Sequence, residues 1–337
     1  VSLMERYDRQ MKFNDFGENS QKKLMSATLM VMGAGALGTH VSEMLVRMGA
    51  GKLIIIDMDI VEMTNLHRQA LYTEKDAEDM TMKVDAAKEK LCQINRNVEI
   101  VAINAELNSS NISAILRKYQ PDIVIDSMDH FEIRFLINEA CHKLDIPWVY
   151  GAAVGSKGSV YGIDFKGPCL KCLMETLPST GESCAINGVL PPVISLIASM
   201  EVSEVIRYLS GKGFSKQLIT VDTFKIGFQT INIDELKNED CVVCKNRIYE
   251  QLNKNMLATV QSNCGSVYTL RFDESIFNQE LPGKTIRASA SVKLLTYKKY
   301  KLTLFKDGRM NVHGISRKEE ANALYHEMIE KLSEYPV

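Results

Sequence analysis

Long apolar runs are missing from this chain. No stretch approaches the roughly 18 residues needed to cross a bilayer, and the longest candidate, Val189 to Met200, is split by Pro191-Pro192. A membrane-spanning protein is not expected. The opening Val1-Ser2-Leu3-Met4-Glu5-Arg6 lacks the apolar core of a signal peptide. An excess of either charge is missing too: 40 Lys+Arg stand against 42 Asp+Glu, a net charge of -2. So even a balance gives no global field to draw in nucleic acid or an anionic membrane, and electrostatics must be local. No internal repeat or low-complexity tract breaks the sequence. Four of the eight cysteines fall in C-x-x-C pairs, which speaks for thiols kept reduced for metal rather than a secreted disulfide framework, and places the protein in the cytoplasm.

What is present begins with Leu29-Met30-Val31-Met32-Gly33-Ala34-Gly35-Ala36-Leu37-Gly38, an apolar strand entering a G-x-G-x-x-G turn. Gly33, Gly35 and Gly38 permit a tight turn and close backbone approach to phosphate, and the helix that follows offers N–H donors to an anion. Leu53 to Asp57 is a second strand ending in a carboxylate suited to ribose hydroxyls. Alone, this unit fits a dehydrogenase as well. The polar set that follows, Asn65-Leu66-His67-Arg68-Gln69, Lys83 and Asp126-Ser127-Met128-Asp129, fits an enzyme that attacks ATP better than one that moves hydride.

Apolar strands and amphipathic helices alternate from about residue 27 to 150, which predicts a Rossmann-like sheet with helices on both faces. Strands are expected near 27–32, 52–57, 99–104, 122–126 and 148–153. Beyond Gly151, strands near 159–164, 217–222 and 228–233 read as antiparallel completion of the sheet, with a polar loop over 166–188 and a helix over 192–210. The sparse apolar content of Leu177–Gly188 makes it a loop available to cover a bound partner. Lys245–Lys254 reads as a charged linker between an ATP-binding domain, 1–250, and a small α+β domain, 255–337. There, Lys299–Phe305 and Met310–Val312 form a hairpin about Asp307-Gly308, and Ser316-x-x-Glu319 caps a helix that turns Ala321, Leu324, Met328 and Leu332 to one side. From Asn255 onward 12 Lys+Arg face 9 Asp+Glu, too small a surplus to imply an acidic partner.

Cys169-x-x-Cys172 and Cys241-x-x-Cys244 supply four thiolates, enough for a closed, structural Zn²⁺ site that staples distant segments. A thioredoxin-like role for either pair is the alternative. Cys92 and Cys141 fall on amphipathic helices and read as core. Asp126 can cap backbone N–H groups or serve a ligand; His67 reads as a polar neighbour.

Jointly, Arg6-Tyr7-Asp8-Arg9-Gln10, the glycine turn, Asp57-x-Asp59, Asn65-Leu66-x-Arg68-Gln69, Lys83, Asp129 and the four cysteines resemble the MoeB/ThiF family, relatives of the ubiquitin-activating enzymes, over residues 1 to about 250. The resemblance implies adenylation of the C-terminal glycine of a ubiquitin-like sulfur-carrier protein ending in Gly-Gly, MoaD-like or ThiS-like. ATP, Mg²⁺ and Zn²⁺ are the implied cofactors. It further implies that Arg9 reaches a neighbouring subunit's site in a homodimer, that Asn65, Arg68 and Lys83 hold the triphosphate, that Asp129 binds Mg²⁺ and that Asp57, with Asp59 in the same motif, serves the nucleotide. His130 stands where the family has Asn. Cys184 matches the loop cysteine through which ThiF-type members bind their carrier covalently. The reading adopted from sequence is a MoeB-like enzyme of molybdenum cofactor synthesis with Cys184 passive; the ThiF-type thiamine enzyme, a dehydrogenase and a non-catalytic zinc-stapled module are its rivals.

Overall fold

The computed structural model describes residues 3–176, 188–254, 258–262 and 267–333. The chain divides into two units, Val1–Asn255 and Met256–Val337.

An eight-stranded sheet organises the first. Strands β1 Thr28–Met32, β2 Lys52–Asp57, β3 Glu99–Asn104, β4 Ile123–Asp126 and β5 Trp148–Val154 run parallel in the order β3-β2-β1-β4-β5. β6 Lys157–Ile163, β7 Gln217–Asp222 and β8 Gly227–Asn232 extend it antiparallel, as expected. β1 pairs with β2 on one side and β4 on the other, so the order reverses at β1 and opens a crevice beyond the strand ends.

The central strands are apolar throughout because both faces are covered. Leu29, Val31, Leu53, Ile55 and Ile125 enter one core with helices Ala36–Met48, Lys83–Ile94 and Pro191–Arg207. Met30, Met32, Ile54, Ile56 and Val124 enter the other with helices Ile112–Tyr119 and Phe131–Lys143. Truncating any of the fully buried isoleucines to Ala costs about 2–5 kcal/mol.

Three expectations are corrected in the first unit. Within the stretch read as a loop, Leu170–Thr176 is helical, with Leu170 and Leu173 buried. The charged segment 245–254 is not a free linker: the Leu252 N–H donates to Glu139 at 2.9 Å, the Tyr249 hydroxyl meets His142 Nδ1 at 3.0 Å, and both side chains pack on the second core. Its charges hid those two anchors. Cys141 is buried, but Cys92 is exposed, one residue past the buried Leu91 and off the apolar stripe.

β8 is an edge strand exposed along its whole length, and Phe224, Ile226, Phe228 and Ile231 on this hairpin are all exposed.

The second unit is a six-stranded antiparallel sheet of β9 Val260–Ser262, β10 Val267–Arg271, β11 Lys284–Ala288, β12 Val292–Tyr297, β13 Tyr300–Phe305 and β14 Arg309–His313, in the order β11-β12-β13-β14-β10-β9. The expected hairpin is β13–β14. Helix Lys318–Ser333 turns Ala321, Leu324 and Met328 onto Leu270, Leu302, Leu304, Met310 and Val312. Its start is held by Glu320, which accepts from the Ser316 backbone, one residue later than the expected partner Glu319.

Candidate active site and four-cysteine cluster

The glycine turn closes on backbone atoms. Gly33 has φ +107°, its N–H donates to the Ile56 carbonyl at 2.8 Å, and a Cβ there would lie 2.6 Å from the Ser127 carbonyl oxygen. At Gly38 a Cβ would lie 1.8 Å from the Gly33 carbonyl oxygen. Neither position admits a side chain, so β1, β4 and helix Ala36–Met48 meet without one. Gly35 caps that helix, whose first N–H groups face the crevice.

Asp57, at the end of β2, accepts from the Ala34 N–H and the Asp59 N–H, each at 2.8 Å. Each oxygen keeps a lone pair for a hydroxyl. The segment from Asn65 to Tyr72 is drawn over the turn: the Ala70 N–H donates to Thr39 Oγ1 at 3.1 Å, and the Tyr72 hydroxyl donates to the Ala34 carbonyl at 2.6 Å. Asn65 is buried, its Oδ1 accepting from the Glu62 N–H at 3.1 Å. Arg68 turns back to the Thr64 carbonyl at 3.0 Å, and His67 is an exposed neighbour.

Lys83 opens helix Lys83–Ile94 with its side chain only 9% exposed and its Nζ 3.7 Å from Asp59. Burial works against its charge, but the carboxylates of Asp57, Asp59, Asp129 and Glu62 outweigh it and raise its pKa. A buried cation ringed by carboxylates stays protonated, ready for an anionic ligand. Asp129 is exposed, and His130 Nδ1 bonds its Oδ1 at 2.9 Å. Partial desolvation would raise its pKa; the hydrogen bond and charge of His130, with the charges of Lys83 and Arg134, hold it down at about 2. An ionised, outward carboxylate fits a hard cation such as Mg²⁺. His130 thus gives that carboxylate a partner on its own loop.

Asp126 has the capping role. Fully buried, it pairs with Arg134 Nε at 2.8 Å and accepts from the Met128 N–H at 2.9 Å, while Arg134 Nη2 donates to the carbonyls of Met128 at 2.6 Å and Gly151 at 2.9 Å. The loop carrying Asp129 is thus held by N–H and carbonyl at Met128. Sequence reasoning missed Arg134, although a lone arginine within Ile133-Arg134-Phe135-Leu136-Ile137, eight residues after a strand-ending Asp126, marks a buried pair. It missed Glu201 as well. That carboxyl is fully buried on the backbone of Gly151, where a Cβ would lie 2.3 Å from its Cδ, and neither oxygen has a hydrogen-bond partner among the described residues. Burial, then the charge of Asp126, pushes its pKa well up, against the pull of Arg134, so it carries a proton.

Arg9 stands apart. It is exposed on helix Asp8–Met11, where its neighbour Gln10 donates to the Met48 carbonyl at 2.9 Å, at the far end of helix Ala36–Met48 from the glycine turn. Thirteen residues at 1.5 Å each separate the two ends by about 20 Å. Cys184 lies outside the described residues.

The four cysteines converge, their sulfurs within 4.8 Å of one another. Sγ···Sγ separations of 3.9, 3.7 and 3.6 Å match the roughly 3.8 Å edge of a tetrahedron with 2.3 Å Zn–S bonds. The hydrogen bond between Cys169 and Cys172 pushes the Cys169 thiol up to about 12, with burial adding to the rise, and draws Cys172 down against the effect of burial. Four thiolates cannot share this space without a cation, and Zn²⁺ fits the donor set. Gathering all four sulfurs leaves neither pair free for redox exchange.

The model of the ThiF family matches residues 7–243. The chain belongs to the ThiF family. A Bacillus subtilis (strain 168) member, the sulfur carrier protein ThiS adenylyltransferase, is 33% identical over 334 residues, covering 96% of this chain and 99% of that protein. The similarity therefore extends into the second unit, beyond the region that the motifs cover. A Thermus thermophilus sulfur carrier protein adenylyltransferase is 35% identical over 252 residues, 72% of this chain and 90% of its own. The Culex quinquefasciatus adenylyltransferase and sulfurtransferase MOCS3 is 36% identical over 244 residues, 71% of this chain and 55% of the relative. Among solved structures, Escherichia coli MccB with ATP superposes with a TM-score of 0.59 at 24% identity, over 71% of this chain and 74% of MccB, a likeness of fold. This ThiF-family chain is an enzyme, an adenylyltransferase.

Proposed function

We propose that this adenylyltransferase activates the C-terminal carboxylate of a ubiquitin-like sulfur-carrier protein ending in Gly-Gly, with ATP and Mg²⁺. The observation that carries the reading is Lys83, a buried cation facing Asp57, Asp59 and Asp129 across the glycine turn. Attack of a carboxylate on the α-phosphate is an encounter of anions, so the site must neutralise charge and align the nucleophile with the departing pyrophosphate. The carrier's carboxylate oxygen forms a bond to the α-phosphorus as the bond to the bridging oxygen breaks, and pyrophosphate leaves with the electron pair. No proton moves, since the attacking carboxylate is already ionised. Lys83, Arg68 and Asn65 hold the triphosphate, Asp57 takes the ribose, and Asp129 binds Mg²⁺, which supplies charge neutralisation on the phosphates. The bare hairpin carrying Phe224, Ile226, Phe228 and Ile231 suits a protein substrate.

The end-to-end match to a ThiS adenylyltransferase supports a ThiS-like carrier and thiamine synthesis over the MoaD-like carrier and molybdenum cofactor favoured from sequence. The MOCS3 relatives, matched over about half their length, support the second reading. ATP–pyrophosphate exchange with each carrier from the same cell decides: stimulation by the ThiS-like protein alone is expected, stimulation by the MoaD-like protein alone reverses the choice, and silence with both rejects carrier activation. Cys184→Ser should leave exchange intact whichever carrier is used; loss of a covalent enzyme–carrier species in that variant would give Cys184 a chemical role. Reduced zinc thiolates are in keeping with a cytoplasmic location.

Arg9, about one helix length from its own glycine turn, would serve the site of a second subunit in a homodimer. Mixing inactive Arg9→Ala with inactive Lys83→Ala should then restore part of the activity. Mixed dimers that exchange subunits yet stay inactive would refute the sharing.

A further inference from the structure

Phe131 begins helix Phe131–Lys143, two residues past Asp129, and 43% of it is exposed. Its ring has a fixed seat: the Arg134 guanidinium lies 5.3 Å from the ring centroid, and that guanidinium is itself locked on Asp126, Met128 and Gly151. One turn on, the Phe135 ring lies 6.4 Å from that of Phe131, with the Lys171 ammonium 5.7 Å from its centroid. A short aromatic stripe therefore runs from the phosphate edge of the site toward helix Leu170–Thr176. Phe135 is partly covered by the second core. Phe131 keeps an open side.

A carboxylate that attacks the α-phosphate must end near Asp129 if that residue holds the metal. Consecutive residues of an extended chain advance about 3.3–3.6 Å each, so Phe131 stands within about 7 Å of Asp129 along the backbone. The last few residues of an incoming tail must cross that distance. Terminal glycines bring no side chain, and the residue before them is the first that can touch a ring. We propose that Phe131, braced by Arg134, is the platform for the residue preceding the carrier's terminal Gly-Gly, and so helps decide which carriers are accepted. This rests on the carrier reading above.

The test is initial-rate ATP–pyrophosphate exchange with the intact enzyme and the intact ThiS-like carrier, titrating carrier and ATP separately. Phe131→Ala should raise KM for the carrier about tenfold, the loss of one good aromatic contact, and leave KM for ATP within about twofold. Phe131→Tyr should restore the carrier KM. Replacing the residue before Gly-Gly in the carrier by Ala should weaken binding to the wild-type enzyme but add little in Phe131→Ala, because the two changes remove the same contact. An unchanged carrier KM, or additive losses, overturns the proposal. So does a KM for ATP that rises in step with the carrier KM, since the ring would then act only by holding Arg134. Wild-type enzyme that shows no exchange with any carrier rejects the functional reading and this inference together, whereas active wild type with an indifferent Phe131→Ala rejects this inference alone.

Discussion

Asp129 and Glu201 are both carboxylic acids close to Arg134, and their surroundings drive them apart. Asp129 stands exposed at the mouth of the crevice, bonded to His130 and faced by Lys83, and stays ionised. Glu201 lies on the far side of β5, pressed onto Gly151 with no hydrogen-bond partner among the described residues, and keeps its proton. The crevice holds charge that a ligand can use. The interior beneath it neutralises charge so that the Asp126–Arg134 clamp can form. A buried cluster of two carboxyls and one guanidinium balances only when one carboxyl is protonated, and Glu201, farther from the guanidinium, takes that role.

The strongest way to break this contrast is through the clamp. Arg134→Met should cost about 3–5 kcal/mol of stability, since it leaves Asp126 buried and unpaired, and denaturant unfolding would read it. A loss under 1 kcal/mol would mean that the clamp is relaxed by water. At the crevice, Lys83→Ala and Arg68→Ala should each cut carrier-dependent exchange by about 10² or more, roughly 2.7 kcal/mol, with little loss of stability in Arg68→Ala. Near-wild-type exchange in both would remove the phosphate-binding roles.

Glu201→Gln sharpens the contrast from the interior side. A carboxyl whose folded pKa is raised stabilises the protein fully below its ordinary value of 4.5, and that contribution is lost as pH rises toward the raised value. The amide has no such loss, so the variant should gain on wild type as pH climbs from 4.5, by about 1–3 kcal/mol at neutral pH. A difference that does not vary with pH would show Glu201 to be ionised. The smallest effect is expected at His130→Ala, which should let the Asp129 pKa rise from about 2 toward its ordinary 3.8, as followed by carbon NMR. In wild type, the stability that the depressed pKa contributes is present above 3.8 and lost as pH falls through about 2.

How far the sequence could be read follows the same divide. The parallel strands were legible because each is a near-continuous apolar run between turn residues, and the glycine turn because only glycine fits at positions 33 and 38. Asp57, Asp59, Lys83 and Asp129 are brought together as the motifs implied. The Asp126–Arg134 pair left a readable spacing, but its link to Glu201 did not, since that runs through the backbone carbonyl and Cα of Gly151 on β5, which carry no signal in the side-chain pattern. In the second unit β13, β14 and the helix were found from alternation and periodicity. β11, exposed along its length, and β12, whose Val292-Lys293-Leu294-Leu295 suits helix as well as strand, gave no period to follow.

Zinc on the four-cysteine cluster would have a consequence for the order in which this protein can be made. Cys169 and Cys241 are 72 residues apart in sequence and 3.7 Å apart in space. While a ribosome is still adding that stretch, β1 to β6 are already available to pair, yet only half of the thiols have emerged. Two thiols hold metal weakly and are open to oxidation. β7, β8 and the second cysteine pair arrive last, so capture of zinc by the four thiols would mark completion of the first unit during synthesis. Scarcity of the metal would therefore fall hardest on newly made chains, before any effect on finished enzyme.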